Sequence, residues 1–270
     1  MRDNKQNFAF PQNQPETQRP SYTRPTDLVK LPSKGHFYQE GHPFHNQEEI
    51  EIGYMTTKEE DILMSPSLNK KGTVFDKLIE SISEKTIKAA TLLPGDKNAI
   101  LINARKNAYG NIYEVTVTCE SCMKQSDLSI DLDDVKNKSL EDKGVEFTGR
   151  GTFVVSLPKT KSTVEVKMLT SEDEADVRKK AQQKAKHNLP ETAVTDRLRQ
   201  MIVSVSGETD MLAINDFISN MPIADSREIQ NKYIEVMPDV DFSFSHTCDD
   251  CGYENKGGVP ILGTFFWPDK

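Results

Sequence analysis

All four cysteines of this chain fall in two C-x-x-C pairs, Cys119/Cys122 in VTCESC and Cys248/Cys251 in HTCDDC, and the pairs stand 129 residues apart. No other feature constrains the fold as much. A C-x-x-C on a tight turn aims two thiolates at one point, and two such turns complete a tetrahedral S4 shell. If they do, distant parts of the chain must meet. Each pair ends an alternating strand, YEVTVTC at 113–119 and DFSFSHTC at 241–248. A second strand is expected after each, LSIDL at 128–132 and VPILGTFF at 259–266, which is the layout of a zinc ribbon. Cys119, Cys122, Cys248 and Cys251 are therefore the candidate ligands of one structural zinc. Iron in the same S4 shell, disulfides and free structural thiols are the alternatives. A thioredoxin-like role is disfavoured, because the acids inside both pairs oppose thiolate formation. His246 precedes Cys248 by two residues and could replace a thiolate; flanking the knuckle is its plainer role.

The redox context agrees. No run approaches the roughly 20 apolar residues needed to cross a bilayer, and the N-terminus carries no apolar signal core. A reducing cytoplasm is the expectation, and there four cysteines read as metal ligands before disulfides. The chain carries 34 basic and 42 acidic residues, a net charge of −8. That disfavours a protein whose main work is coating nucleic acid. CESC and CDDC would themselves repel phosphate, so a zinc-ribbon nucleic-acid regulator is the second choice.

Why two knuckles so far apart? The sequence repeats. IEIGYMTTKEEDIL (50–63) and VEVKMLTSEDEADV (164–177) share an alternating strand, a hydroxyl pair and an acid cluster. Thr57-x-x-Glu60 and Ser171-x-x-Glu174 read as capping boxes, so each copy reads strand, cap, helix. Upstream, Lys34-Gly35-His36-Phe37 is set against Arg150-Gly151-Thr152-Phe153. Downstream, a helical face of Val74, Leu78 and Ile82 is set against Val194, Leu198, Met201, Ile202 and Val205. Leu93-Pro94 and Met221-Pro222 each open a short helix, capped by Asp96 in one and by Asp225 with Glu228 in the other, before the knuckle strand. The fold expected is α+β: two related strand-helix-strand units, a probable internal duplication, joined by a shared four-cysteine zinc-ribbon-like site. The boundaries are a disordered tail at 1–27, a first unit at 28–133, a linker at 134–146 and a second unit at 147–270. The tail is rich in Gln, Asn and Pro; Phe8, Phe10 and Tyr22 are its candidate anchors for a partner.

Catalytic signatures are absent. No His-x-Glu accompanies a P-C-x-x-C, and there is no G-x-x-x-x-G-K-[ST], G-x-S-x-G or H-E-x-x-H. A full S4 shell leaves no open position for chemistry. His42 and His45 lie together in GHPFH, where Pro43 indicates a turn. RKKAQQKAK (178–186) follows the acidic SEDEAD, the polarity a helix dipole favours; it reads as a solvated helix, with a phosphate-binding face as the alternative. An enzyme is not expected.

LPSKGHFY (31–38), MTTKEEDIL (55–63), KGTVFDKLIES (71–81), LLPGDKNAILINARKNAYGNIYEVTVTCESC (92–122) and the closing TFFWP (264–268) resemble the baseplate hub subunit family of T-even-like contractile-tailed bacteriophages. The likeness is dense over 31–122 and resumes at the second cysteine pair. It implies a protein made in the host cytoplasm, acting as a hub component or hub-assembly factor of the tail baseplate. Other hub subunits or assembly proteins would be its partners, and it implies no catalytic residues. Phe265, Phe266 and Trp267 are the candidate partner contacts; Phe37 and Tyr38 read as core.

Overall fold

The computed structural model describes residues 23–83, 87–138, 144–258, 261 and 263–266. The first half opens with strand β1 (Thr26–Lys30), paired antiparallel with β2 (Glu49–Gly53). Alternation sends Val29, Ile50 and Ile52 inward and leaves Leu28, Glu49 and Glu51 outside. Helices α1 (Thr57–Leu63), α2 (Pro66–Lys71), α3 (Val74–Ile82) and α4 (Pro94–Tyr109) follow. Each stop has a cause: Pro66 restarts the helix after α1, and Gly72 ends α2 in the left-handed region. The half closes on a hairpin, β3 (Ile112–Thr118) with β4 (Gln125–Asp131).

The second half contains β5 (Lys136–Asn137), β6 (Glu146–Phe147), β7 (Thr152–Ser156), β8 (Thr163–Lys167), α5 (Ser171–Lys186), α6 (Ala193–Met201) and β9 (Ile202–Val205). Helices α7 (Met211–Asn220) and α8 (Ile223–Val236) lead to β10 (Val240–Asp241) and a hairpin of β11 (Ser243–Thr247) with β12 (Glu254–Gly258). Strands β6, β7, β8 and β9 form one antiparallel sheet in that order, and β10 pairs with β5. The molecule is a mixed helix-and-strand fold with one apolar cluster running through both halves. Gly95 brings the start of α4 against the Pro238–Asp239 backbone; a Cβ there would lie 2.0 Å from the Pro238 carbonyl oxygen.

Several expected details move. Of the expected tail, residues 1–22 lie outside the described residues, and Thr26 and Asp27 already belong to β1. Within the expected linker, Lys136 and Asn137 pair with Asp241 and Val240. The helix starts sit one residue earlier than read. Thr56, not Thr57, is the first cap, and the Glu59 carboxylate accepts from its N–H and hydroxyl at 2.9 and 2.6 Å. The second cap is Thr170, which exchanges hydrogen bonds with Asp173. The hydroxyl pairs at 56–57 and 170–171 offered two caps each, and the buried Glu59 selects the earlier one. The apolar stripe at 194–205 is half helix: α6 stops at Met201, because the β-branched Ile-Val-Ser-Val run pairs with β8 as β9. VPILGTFF is not the second knuckle strand. That role falls to Glu254–Gly258, and Gly263–Phe266 is a 3₁₀ turn.

The match of Lys34–Phe37 with Arg150–Phe153 also fails, since Phe153 lies in β7 and Phe37 in a loop. A local likeness links β1 with β7 instead. Each runs straight into Leu-Pro, Leu31-Pro32 and Leu157-Pro158, and both leucines are buried. The loop after each is held by an aspartate at the third position of a later helix. Neither aspartate is the cap, and α4 and α8 are not short. In α4, Asp96 accepts from the Ser33 N–H and hydroxyl at 3.0 and 2.6 Å and from the Tyr38 hydroxyl at 2.7 Å. In α8, Asp225 accepts from the Lys159 and Thr160 N–H groups at 2.7 and 2.9 Å.

Candidate metal centre

Both knuckles are the same turn. In the first, the Cys119 N–H bonds the Lys124 carbonyl and the Met123 N–H bonds the Cys119 carbonyl, at 2.8 and 2.9 Å. In the second, Cys248 to Tyr253 and Gly252 to Cys248 repeat these bonds at 2.9 and 2.9 Å, each 129 positions later. The turn demands a left-handed residue, supplied by Met123 (φ 62°) and Gly252 (φ 71°). The strands flanking it start in the same register, Thr118 opposite Gln125 and Thr247 opposite Glu254.

The two turns meet. Cys119 Sγ lies 3.7 Å from Cys251 Sγ, and Cys122 Sγ lies 3.7 Å from Cys248 Sγ. Moving 129 positions along the chain turns one of these contacts into the other, the relation that a local two-fold axis produces. All four sulfur atoms lie within 4.8 Å of one another. A tetrahedral shell with Zn–S bonds of about 2.3 Å has S···S edges of about 3.8 Å. No disulfide joins the cysteines. Cys119 and Cys248 are buried, while Cys122 is half-buried and Cys251 exposed. His246 is not part of the cluster.

Charge supplies a second test of fit. The Cys122 N–H, with the Ser121 N–H, Asn255 and Cys251, holds the Cys119 thiol down to about 6 against the opposing effect of burial. At Cys122 the Lys124 N–H favours the thiolate, but burial and the three neighbouring thiols push it up to about 12. Four thiols this close cannot all ionise unaided. A cation among them removes that conflict, so the donor set is compatible with a metal site.

Two contacts had no signal in the sequence. Asn255, 5% exposed, crosses between the knuckles and accepts the Glu120 N–H at 3.0 Å. Lys124 pairs with Asp250 across the same seam. Both are single polar residues in polar turns, and nothing in their spacing marks them.

The aromatic residues expected to meet a partner behave otherwise. Phe265 and Phe266 are fully buried. Phe265 packs edge-on to Tyr113 and Phe242, with centroids 5.0 and 6.0 Å away, and Phe266 lies beside Phe75 at 5.7 Å. Arg105, itself 1% exposed, donates to the Phe265, Gly110 and Ile112 carbonyls and stands over the Tyr109 ring. Phe265 and Phe266 belong to the apolar core, because aromatic area is worth more buried than displayed. Trp267 lies outside the described residues.

The chain matches the family described as T4 bacteriophage base plate protein over residues 25–267. It belongs to that family. This baseplate protein is thus a member of a structural, generally non-enzymatic group whose place is the virion tail baseplate, in contact with other phage proteins. The match covers both knuckles and the stretch between them. No curated protein and no solved structure matches the chain. Among the described residues, no helix is long and apolar enough to cross a membrane.

Proposed function

We propose that this baseplate protein is a hub component or hub-assembly factor of a contractile tail, a non-enzymatic scaffold stabilised by one structural zinc. Cys119, Cys122, Cys248 and Cys251 would hold the ion. What it supplies is a closed cross-link between two hairpins remote in sequence, not a reactive centre. The observation that carries this is the meeting of four sulfurs from two superimposable turns. Four thiolates fill a tetrahedral shell and leave no site for substrate. The protein would be made in the host cytoplasm and act in the assembly of the tail.

The halves 28–133 and 147–270 are proposed to be copies of one ancestral unit. Supporting this are the shared knuckle register, the Leu-Pro exits of β1 and β7, and the paired aspartates that hold the following loops. The test has two arms. Elemental analysis of purified protein should find one zinc per chain, and metal-free folded protein would refute the site. Tagged protein expressed during infection should bring down tail-hub subunits. Salt-sensitive retention on DNA without hub partners would favour a zinc-ribbon nucleic-acid regulator instead.

A further inference from the structure

Helix α5 is out of keeping with its surroundings. It is 16 residues long and buries none of them. Its first turn is anchored: Asp173 meets Lys167 and Gln200, and Glu174 meets Arg197. Beyond Asp176 no acid occurs until Glu191. Arg178, Lys179, Lys180 and Lys186 are exposed, and none has an ion pair among the described residues; Lys184 alone is neutralised, by Asp196 of α6. Helical spacing gathers Lys179, Gln182, Gln183 and Lys186 on one stripe about 10 Å long, on the side away from Lys184. Val177, Ala181 and Ala185 share another side of the helix, so the Lys179–Lys186 stripe is its polar, outward one. On a chain of net charge −8, this stripe is a local basic face.

Its complement lies in the other half. The outer face of the β3–β4 hairpin forms an open groove whose polar walls are Glu114, Thr116, Asp127 and Ser129. Neither Glu114 nor Asp127 has an ion pair among the described residues. The second hairpin lacks this face: at the positions 129 further on stand Ser243, Ser245, Lys256 and Gly258. The first half lacks the helix, since α1 is seven residues long and yields to Pro66. Each half therefore carries one member of a complementary pair.

We infer that this protein binds a second copy of itself head to tail, the basic stripe of α5 on one copy seated on the acidic β3–β4 face of the next. The two patches differ, so the contact is heterologous and repeats, closing a ring or extending a chain according to the rotation between copies. Nucleic acid is the weaker occupant for α5. Four cations on one helix, with acids at its start, fall below the roughly 6–10 phosphate contacts of a strongly salt-dependent DNA binder. The inference goes beyond the proposed function and does not depend on which metal the knuckles hold.

Sedimentation velocity on the full, metal-loaded chain tests it. Species heavier than one chain should appear with rising concentration at about 0.05 M salt and disappear near 1 M, where the screening length is about 3 Å. K179E/K186E should weaken association at least tenfold, and so should E114K/D127K. All four positions are exposed, so both variants should melt like the parent. An equimolar mixture of the two should associate again, because each reversed patch then meets a reversed partner; a misfolded variant could not be rescued this way. A chain that stays single at every concentration, or association that neither reversal weakens, would overturn the inference. So would an oligonucleotide retained by the parent and released by K179E/K186E in the absence of self-association.

Discussion

The two knuckle hairpins share a turn but not a foundation. The first has seven-residue strands with Tyr113, Val115, Val117, Leu128 and Ile130 on its inner face, and Tyr113 is rooted against Phe265. The second has five-residue strands whose inner face carries Phe244, His246, Asn255 and Gly257. Gly257 has no side chain because the Phe244 ring covers it; a Cβ would lie 3.2 Å from that ring. An isolated two-stranded hairpin is marginal in water without an apolar face. The difference teaches that the first hairpin has an apolar inner face to hold it, whereas the second has Phe244 alone packed on the core and, under the proposed function, depends chiefly on the sulfur cluster.

Removing the cluster should break this comparison most severely. Cys248→Ser is expected to abolish stoichiometric zinc and to cost several kcal/mol, since structural zinc sites contribute on the order of 10 kcal/mol to folding. Hydrogen exchange should then show amides of 243–258 opening before those of 112–131. Equal opening of both hairpins would mean that burial does not distinguish them. Phe265→Ala attacks the other foundation. It should cost about 3–5 kcal/mol in urea unfolding and loosen the first hairpin at its Tyr113 end while zinc content stays intact. A cost below about 1 kcal/mol would show that the C-terminal segment is not core to the first half.

Legibility in the sequence followed the strength of the local signal. The meeting of the four cysteines is legible because thiolate geometry is rigid and their spacing recurs. Val74, Leu78 and Ile82 were readable because α3 buries a strict helical face. The run at 202–205 misled, since apolar periodicity cannot separate a helix end from a strand that only β8 decides. The second strand of the second knuckle carries no sequence signal, because Glu-Asn-Lys-Gly-Gly has poor strand propensity and is set by the turn before it. Phe265 and Phe266 looked available because they stand near the chain end; their burial depends on Arg105, 160 positions away from Phe265.

The paired aspartates sharpen the comparison through pH. Burial opposes charge on Asp225, but the Thr160 and Lys159 N–H groups and the Lys159 charge hold it below the usual carboxylate range. Its contribution is thus present above the unfolded value of about 3.9 and lost as pH falls through the lower folded value. At Asp96 burial wins over Ser33 and Tyr38 and raises the pKa. Its contribution is full below about 3.9 and lost as pH rises through the folded value. Asp225→Asn should cost about 1–3 kcal/mol at neutral pH, with the gap to wild type closing in acid. For Asp96→Asn the gap should instead narrow as pH rises. Urea midpoints taken as differences from wild type cancel the acid loss of the proposed metal, which is common to both. Parallel slopes would show that the two loops are not held by oppositely shifted carboxylates.

The smallest effect belongs to an ion pair that crosses the knuckle seam. Lys124 and Asp250 face each other, but their side chains are 59% and 44% exposed. Water screens such a pair, and ordering the long lysine offsets part of the attraction. Its positions in the two turns do not correspond either: 129 residues from Lys124 stands Tyr253, and from Asp250, Ser121. Lys124→Ala should therefore cost less than about 1 kcal/mol, and the loss should vanish near 1 M salt. A double-mutant cycle with Asp250→Ala, read by thermal melts of zinc-loaded protein, isolates the pair. A coupling above about 2 kcal/mol that survives high salt would mean that the seam is fastened by charge outside the sulfur shell. The second hairpin would then keep its place after the cysteines are removed.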